Sequence, residues 1–390
     1  MKRIVLSALA VLTLGAVVAN AGDVTLYQDE NAKVFTKAGE GRTEIKSDTS
    51  VFSHADKLKF SGQTFLGYKY TNYSDAATPS TQDFEIRRAY FQVKAYLLDD
   101  PKSYYRVTFD VSKDVVGDEK VRAKYAYLYL NDIFAHTGVE MGLVHRPWHD
   151  YEEHNAWYYR SISKVLIEDK KHGPDLSNSA DFGVMFKTKT QYFDADYGIF
   201  NGEGYHSASN GNGMSFEWRT TAHILGVNGK DKQTKKTYWD TSFFGQYNKG
   251  HKTVTVGTQT ENQDLIFGGL HTVYNQPSFL VAAQYVYSDN TSKIANNVSG
   301  QAGSGYSVNG EYRMGADKEY KLLARYDSWT KEQVSGAKEP ADRGYIVGAA
   351  WHQNKNVEWV ANVIVTDNEA GSAKEKENGT QYMVTAEVKF

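Results

Sequence analysis

The sequence predicts an all-β fold, a transmembrane antiparallel β-barrel of about sixteen strands, and three observations carry that expectation. First, the last ten residues alternate without a break: Tyr382, Val384, Ala386, Val388 and Phe390 share one face, while Gln381, Met383, Thr385, Glu387 and Lys389 share the other. From Tyr382 to Phe390 such a strand covers about 26 Å, or about 20 Å of bilayer at the usual tilt, which puts an aromatic ring at each edge of an apolar band. Second, similar alternation recurs from Lys57 to the end of the chain, broken by polar connections. Third, Pro79, Pro101, Pro147, Pro174, Pro277 and Pro340 all fall between the proposed strands. A residue without an N–H cannot serve a ladder, so the prolines mark the divisions.

The start of the chain reads as a secretory signal over residues 1–21. Lys2 and Arg3 lead an apolar run from Ile4 to Val18, and Ala19-Asn20-Ala21 offers a cleavage site. Removing those two cations takes the formal charge from -3 to -5, a mild balance that argues against a nucleic-acid partner, where a basic stripe is expected. No later run approaches the length of a transmembrane helix. A mean hydropathy of -0.57 is compatible with a barrel, whose wet lumen hides the membrane signal in alternation. There is no cysteine, which excludes disulfides and thiolate-held zinc. The 28 Tyr, 18 Phe and 7 Trp suit strands and the aromatic girdles of membrane barrels.

Residues 22–56 lack clear periodicity and read as a periplasmic segment ahead of a barrel domain at 57–390. In the first strand Leu58, Phe60, Thr64, Leu66, Tyr68 and Tyr70 share a face. The second, Phe84 to Leu98, turns Phe91, Val93, Ala95 and Leu97 outward and Arg88, Gln92 and Lys94 inward. Tyr105, Val107, Phe109 and Val111 face out of the third, with Arg106, Thr108 and Asp110 facing in. The fourth, Val121 to Asn131, is expected to place Tyr125, Tyr127 and Tyr129 outward and Arg122 and Lys124 inward. The fifth, Gly138 to His145, feeds the longest connection in the barrel, Arg146 to Ser179. Strands follow near 181–188, 192–200, 216–227, 237–249, 265–274, 279–288, 306–314, 319–329, 345–353, 357–366 and 381–390. Lys252 to Thr260 is either an outer loop or an extension of its neighbour. Short and long connections alternate, as periplasmic turns and external loops do, and an open sheet edge is forbidden in lipid, so the sheet closes.

Three stretches, Phe84-Glu85-Ile86-Arg87-Arg88-Ala89, Gly142-Leu143-Val144-His145-Arg146-Pro147 and Asn201-Gly202-Glu203-Gly204, resemble the phosphate-selective porin O and P family over roughly Leu58 to Phe390. The resemblance implies a sixteen-stranded, trimeric outer-membrane porin whose third external loop folds toward the lumen. The family's G-Q-x-K-x-P lacks its Gln and Lys here, and its arginine ladder has no alignable counterpart. The terminal Phe390 is similar to the signal by which barrel-assembly machinery recognises its clients.

No HExxH, phosphate-binding Gly-Lys loop or Gly-x-Ser-x-Gly is present, and no catalytic residue, cofactor or metal is expected. Arg88, Lys94, Arg106, Arg122 and Lys124 are the candidate anion-attracting wall, with Asp110 as the nearby acid. The competing account is that wet lumen cations are each neutralised by facing acids. Arg146 to Ser179 is the candidate constriction loop, with Arg146, Arg160, Lys164, Glu168 and Lys170 singled out. Trp157 to Ile167 is expected to form a helical turn or two that packs on the barrel wall and presents Arg160 and Lys164 to the pore; the alternative is an external loop that covers the rim or docks on a neighbouring subunit. His145, His149, His154 and His172 lie close in sequence but match no defined metal spacing.

The leading reading is an outer-membrane porin of a Gram-negative bacterium, passing small hydrophilic solutes or anions through a trimer embedded in lipid. Two others stay open: a barrel that only scaffolds enzymatic or adhesive loops, and a secreted all-β binding protein.

Overall fold

A computed structural model of the chain describes residues 27–29, 34–35, 37–44, 57–96, 98, 100–114, 116–207, 213–226, 233–290, 301–333 and 335–390. The expected signal segment, residues 1–21, lies outside them. The chain divides into two units, residues 1–58 and 59–390. In the first, a three-stranded antiparallel sheet pairs Tyr27–Asp29 with Val34–Phe35 on one side and Arg42–Glu44 on the other.

The second unit is a closed barrel. Its strands are β1 (Leu58–Tyr73), β2 (Thr81–Ala95), β3 (Tyr104–Lys113), β4 (Glu119–Phe134), β5 (Thr137–His145), β6 (Ala180–Lys189), β7 (Phe193–Phe200) and β8 (Ser215–His223). They continue as β9 (Tyr238–Val256), β10 (Gln259–Gln276), β11 (Phe279–Asp289), β12 (Gly303–Met314), β13 (Tyr320–Lys331), β14 (Asp342–His352), β15 (Val357–Thr366) and β16 (Gly379–Lys389). Each strand pairs with its sequence neighbours, and β16 pairs with β1 from Gly379↔Tyr73 to Lys389↔Gln63. Every proposed barrel strand is present, and each proline lies between strands. Lys252 to Thr260 extends a hairpin: β9 and β10 stay paired out to Val256↔Gln259 beyond a bulge at Asn248 and Lys252.

Outward side chains form the band that lipid requires. Trp239, Tyr274, Tyr312, Tyr320, Trp351 and Trp359 are exposed toward the rim of mostly short turns. Tyr247, Tyr287, Tyr306 and Tyr345 are exposed toward the rim of longer loops, with Leu270, Val281, Val308, Leu322, Val347 and Val384 between the two rows. No helix among the described residues is long and apolar enough to cross a membrane.

One stretch departs from the expected alternation. Tyr125 and Tyr127 are buried, with Tyr127 only 1% exposed, because β3 and β4 slip register at Thr108 and Phe109. Thr108 pairs with Tyr125 but Phe109 pairs with Ala123, so Lys124 is the extra residue of a β-bulge. A one-residue slip exchanges the two faces of a strand. Arg122 and Lys124 therefore face in as expected, and Tyr125, Tyr127 and Tyr129 face in as well, while Ala126, Leu128 and Leu130 take the outer side.

The long connection 146–179 turns into the barrel, pinched at its base by the Arg146 N–H donating to Ser179 O at 3.2 Å. Its α-helix, α1, runs over Pro147–Asn155, and of the stretch from Trp157 to Ile167 only the end is helical, in a single 3-10 turn at Leu166–Glu168. Pro147 stands at the first helical position, where a missing N–H costs nothing. The apolar residues of 157–167 do pack on the barrel wall: Trp157, Ile162, Val165 and Leu166 join Phe244, Phe267, Trp329, Ile346, Val360 and Met383 in one buried cluster. Trp148 stacks flat on Phe244 at 3.7 Å. Met383, the apolar exception on the inner face of β16, is 3% exposed and belongs to this cluster.

Candidate functional site

Polar contacts hold the 146–179 loop inside the lumen as firmly as the apolar ones. Tyr151 donates to Asp240 at 2.7 Å, Asn309 to the Ala156 carbonyl at 2.9 Å and Ser161 to Glu387 at 2.6 Å. Tyr159 donates to Glu311, and Gln284 to Glu152. The Arg325 guanidinium donates to the Lys164 carbonyl at 2.9 Å, and His172 meets Thr366 at 2.9 Å. These partners come from the inner faces of strands across the barrel, so rim-covering describes only the segment near Lys170, which is exposed beside Asp175.

Within the loop most of the singled-out charged residues are ion-paired. Arg160 meets Glu153 at 2.6 Å and also Glu168, while Lys164 reaches Glu168 at 3.0 Å. Those two cations hold the Glu168 carboxyl well below the usual range against the opposing effect of its burial. Arg146 is 1% exposed between Asp181 at 2.8 Å and Glu217 at 3.2 Å. Arg160 and Arg146 are therefore struts that fix the loop.

Open space lies both against the opposite wall, β1 to β4, and beside α1. Toward the loop rim a cavity of about 770 Å³ is lined by Lys69, Arg87, Arg88 and Arg122 from the strands and by Lys164 and Lys170 from the loop. Lys113 and Arg146 complete its cations, against Glu85, Asp175 and Glu203. Glu85 serves both Lys69 and Arg87, each at 2.6 Å, and Asp110, fully buried, takes Arg88 at 2.7 Å. Arg122 has neither; its guanidinium donates to His206 Nδ1 at 2.6 Å. An arginine only donates, so the ring must be neutral. Burial, together with Arg122, Lys164 and Arg88 nearby, pushes His206 down to about 4. Four wall cations thus share two carboxylates, an excess of about two positive charges facing water.

Nearer the turn rim, a cavity of about 500 Å³ is lined by Arg106, Lys124, Tyr90, Tyr104, Tyr125 and Tyr127 among others. Here the cations rest on ring faces: Lys124 lies 4.7 Å from the Tyr90 centroid, Arg106 4.7 Å from Tyr125 and Lys94 4.5 Å from Tyr104. A further cavity of about 600 Å³ beside α1 carries Asp150, Asp194, Asp196 and Asp240 against Lys187, Lys189, Arg219 and Lys236.

Comparison with solved structures finds the same architecture. An anion-selective porin from Comamonas acidovorans is similar with a TM-score of 0.60 and 13% identity, over 85% of this chain and 98% of that one. OprB of Pseudomonas putida gives 0.60 and 10% identity over 88% and 97%. OmpT of Vibrio cholerae, an outer membrane protein solved in a trimer form, gives 0.58 and 15% over 85% and 99%. The fold is that of the Gram-negative outer-membrane porins. No protein-family model matches the chain, and no curated protein matches its sequence, so the likeness to the phosphate-selective family goes no further than this porin fold.

On the porin fold the five expected wall residues sit on three adjacent strands and face inward, but they divide: Arg88 and Arg122 line the loop-side cavity, Arg106 and Lys124 the turn-side one. Lys69, Glu85 and Arg87 were not anticipated. Strict alternation from Arg88 sends Arg87 into lipid, yet it donates inward to the Ser161 carbonyl at 2.7 Å and to Glu85. The signal was present in the sequence, since an arginine at mid-strand on a lipid face is costly enough to argue for a local irregularity. The four histidines are spread out: His145 lies between Glu140 and Asp150, His154 on the other side of Asp150, His149 beside the Ser177 carbonyl and His172 beside Thr366. Among the described residues no group of His, Asp and Glu is placed to hold a metal.

Proposed function

We propose that this chain is an outer-membrane porin, a water-filled channel for passive diffusion of small hydrophilic solutes that favours anions. The observation that carries the reading is the cluster of Lys69, Arg87, Arg88 and Arg122 on the wall of the loop-side cavity, four cations that share only Glu85 and Asp110. Cations on a narrow polar wall concentrate anions by focusing the field, and arginine adds a fork that fits carboxylate or phosphate. Passive diffusion needs a wet hole, a constriction and a field, and the inward loop supplies the second. Phosphate among those anions rests on the sequence resemblance alone.

The remaining assignments follow from that reading. The chain is exported by the segment 1–21, is inserted by barrel-assembly machinery through the strand ending at Phe390, and works as a homotrimer in outer-membrane lipid. Planar-bilayer recording tests it: stepwise conductance with a reversal potential of anionic sign in a salt gradient is expected. Folded barrels that never conduct would favour a scaffold for active loops instead, and protein that stays monodisperse without detergent would favour a secreted binder.

A further inference from the structure

The β-bulge at Lys124 builds a site of its own on the turn side of the lumen, and we infer that the channel binds small aromatic carboxylates there. This rests on the porin reading above and names a solute class within it. Because the extra residue shifts the alternation, Lys124 and Tyr125 both point inward, with Tyr127 after them. They line the cavity of about 500 Å³ together with Arg106, Tyr90 and Tyr104. Lys124 is 4% exposed, yet among the described residues its ammonium meets no carboxylate and no hydrogen-bond acceptor. The ring faces of Tyr90 at 4.7 Å and Tyr125 at 5.3 Å flank it. A lysine is seldom so buried unless it is paired, and an anion in the cavity supplies the partner.

Arg106 is in a similar position. Its Nε donates to the Thr108 hydroxyl at 3.0 Å, and its Nη1 to the Tyr127 hydroxyl at 3.2 Å and to His145 Nε2 at 3.0 Å, all of them neutral acceptors. The acids of the lining belong to other cations. Lys187 meets Asp150 at 3.1 Å and Glu140 at 3.5 Å, and Glu153 belongs to the set in which Arg160 and Lys164 face Glu153 and Glu168. Lys389 meets Glu387 at 3.5 Å. Lys187 serves two acids, so one of them is left over against Arg106 and Lys124, and one positive charge remains. The tyrosines then select the body of the anion. The neutral polar groups are already paired: Gln92 donates to Ser61 at 3.2 Å, Thr108 to Gln92 at 3.4 Å and Gln63 to Glu387 at 3.2 Å. A hydroxylated solute finds few free partners there. What the cavity offers besides two cations is tyrosine ring surface, which suits offset or edge-on contact with another ring. A carboxylate on a flat ring answers both, its charge to Lys124 and Arg106 and its ring to the tyrosines. The lining of the loop-side cavity contains no Phe, Tyr or Trp among the described residues, so the two sites differ in kind.

Benzoate is the probe. Added at millimolar concentration to bilayers carrying a chloride current, it should lower that current with a saturating dose dependence. Acetate, which has the charge without the ring, benzamide, which has the ring without the charge, and glucuronate, a hydroxylated acid, should block far less. Lys124→Gln should raise the half-blocking concentration of benzoate by about tenfold, and Tyr90→Leu should raise it as well. Chloride current before benzoate is added reports that each variant has folded and inserted. A chloride current that benzoate leaves untouched would overturn the site while the porin stands. Block by acetate or glucuronate as strong as by benzoate would overturn the aromatic preference. Block unchanged in Lys124→Gln would place the anion elsewhere and overturn the assignment too. Absence of any conductance would remove the porin reading and this inference with it.

Discussion

The ring of Phe390 lies over Gly62 where the barrel closes. Gly62 donates its N–H to the Phe390 carbonyl at 3.0 Å, and the Phe390 N–H returns to the Gly62 carbonyl at 3.1 Å. A Cβ at Gly62 would stand 2.3 Å from a ring carbon of Phe390 and 2.9 Å from the Tyr90 carbonyl. The last residue is thus a ladder member that completes the β16–β1 seam, and the glycine is what lets its ring lie down.

Gly62→Val should therefore injure closure. Overpacking of this kind costs about 1–3 kcal/mol, and here the backbone of β2 leaves the side chain nowhere to go. The expected result is a smaller fraction of protein migrating as the compact, heat-modifiable band, with Gly62→Ala less affected. A Gly62→Val barrel as heat-stable as the parent would refute the packing argument.

Arg122 and Glu85 should pull selectivity in opposite directions. Arg122→Gln removes the wall cation that has no carboxylate partner among the described residues, and its reversal potential should move toward cations. Glu85→Gln removes the acid that two cations share, and should move it further toward anions. Lys170→Gln, exposed and already paired with Asp175, should leave it nearly unchanged.

Glu168 is buried beneath Arg160 and Lys164, so Glu168→Gln leaves both cations short of a partner. Breaking a buried pair from one side costs about 3–5 kcal/mol. Because the barrel ladder does not depend on this contact, the loss should appear in the loop: noisier open-channel current and faster proteolysis within 146–179, with the heat-modifiable band retained.

Glu152 supplies a pH dependence. Burial raises its carboxyl to about 8, with Asp327 adding to the rise and Arg325 opposing it. A group that holds its proton more tightly folded than unfolded contributes stability fully below its unfolded value, about 4.3, and loses it as pH rises through the folded one. Between those limits the contribution shrinks, and above about pH 8 the loop carries a buried anion. Current noise in the parent channel should therefore grow between about pH 5 and 8 and level off above that. Glu152→Gln, which keeps a partner for Gln284, should flatten that rise, and equal noise growth in both proteins would exclude Glu152 as its source.

Much of the barrel was legible in the chain because alternation is a local property. Tyr382, Val384 and Phe390 display their lipid face two residues at a time, and each proline marks a gap that no ladder could bridge. Strand number and the site of the long loop follow from such local rules. The inward faces of Tyr125 and Arg87, the loop's hold on Glu311 and Glu387, and the sharing of Glu85 by two cations do not. A bulge exchanges the faces of a strand without altering its residue pattern, and Tyr159 meets Glu311 across 152 positions of sequence. Periodicity states which residues can share a face; only closure of the sheet, which brings distant strands around one lumen, decided which of them meet and where charge is left over.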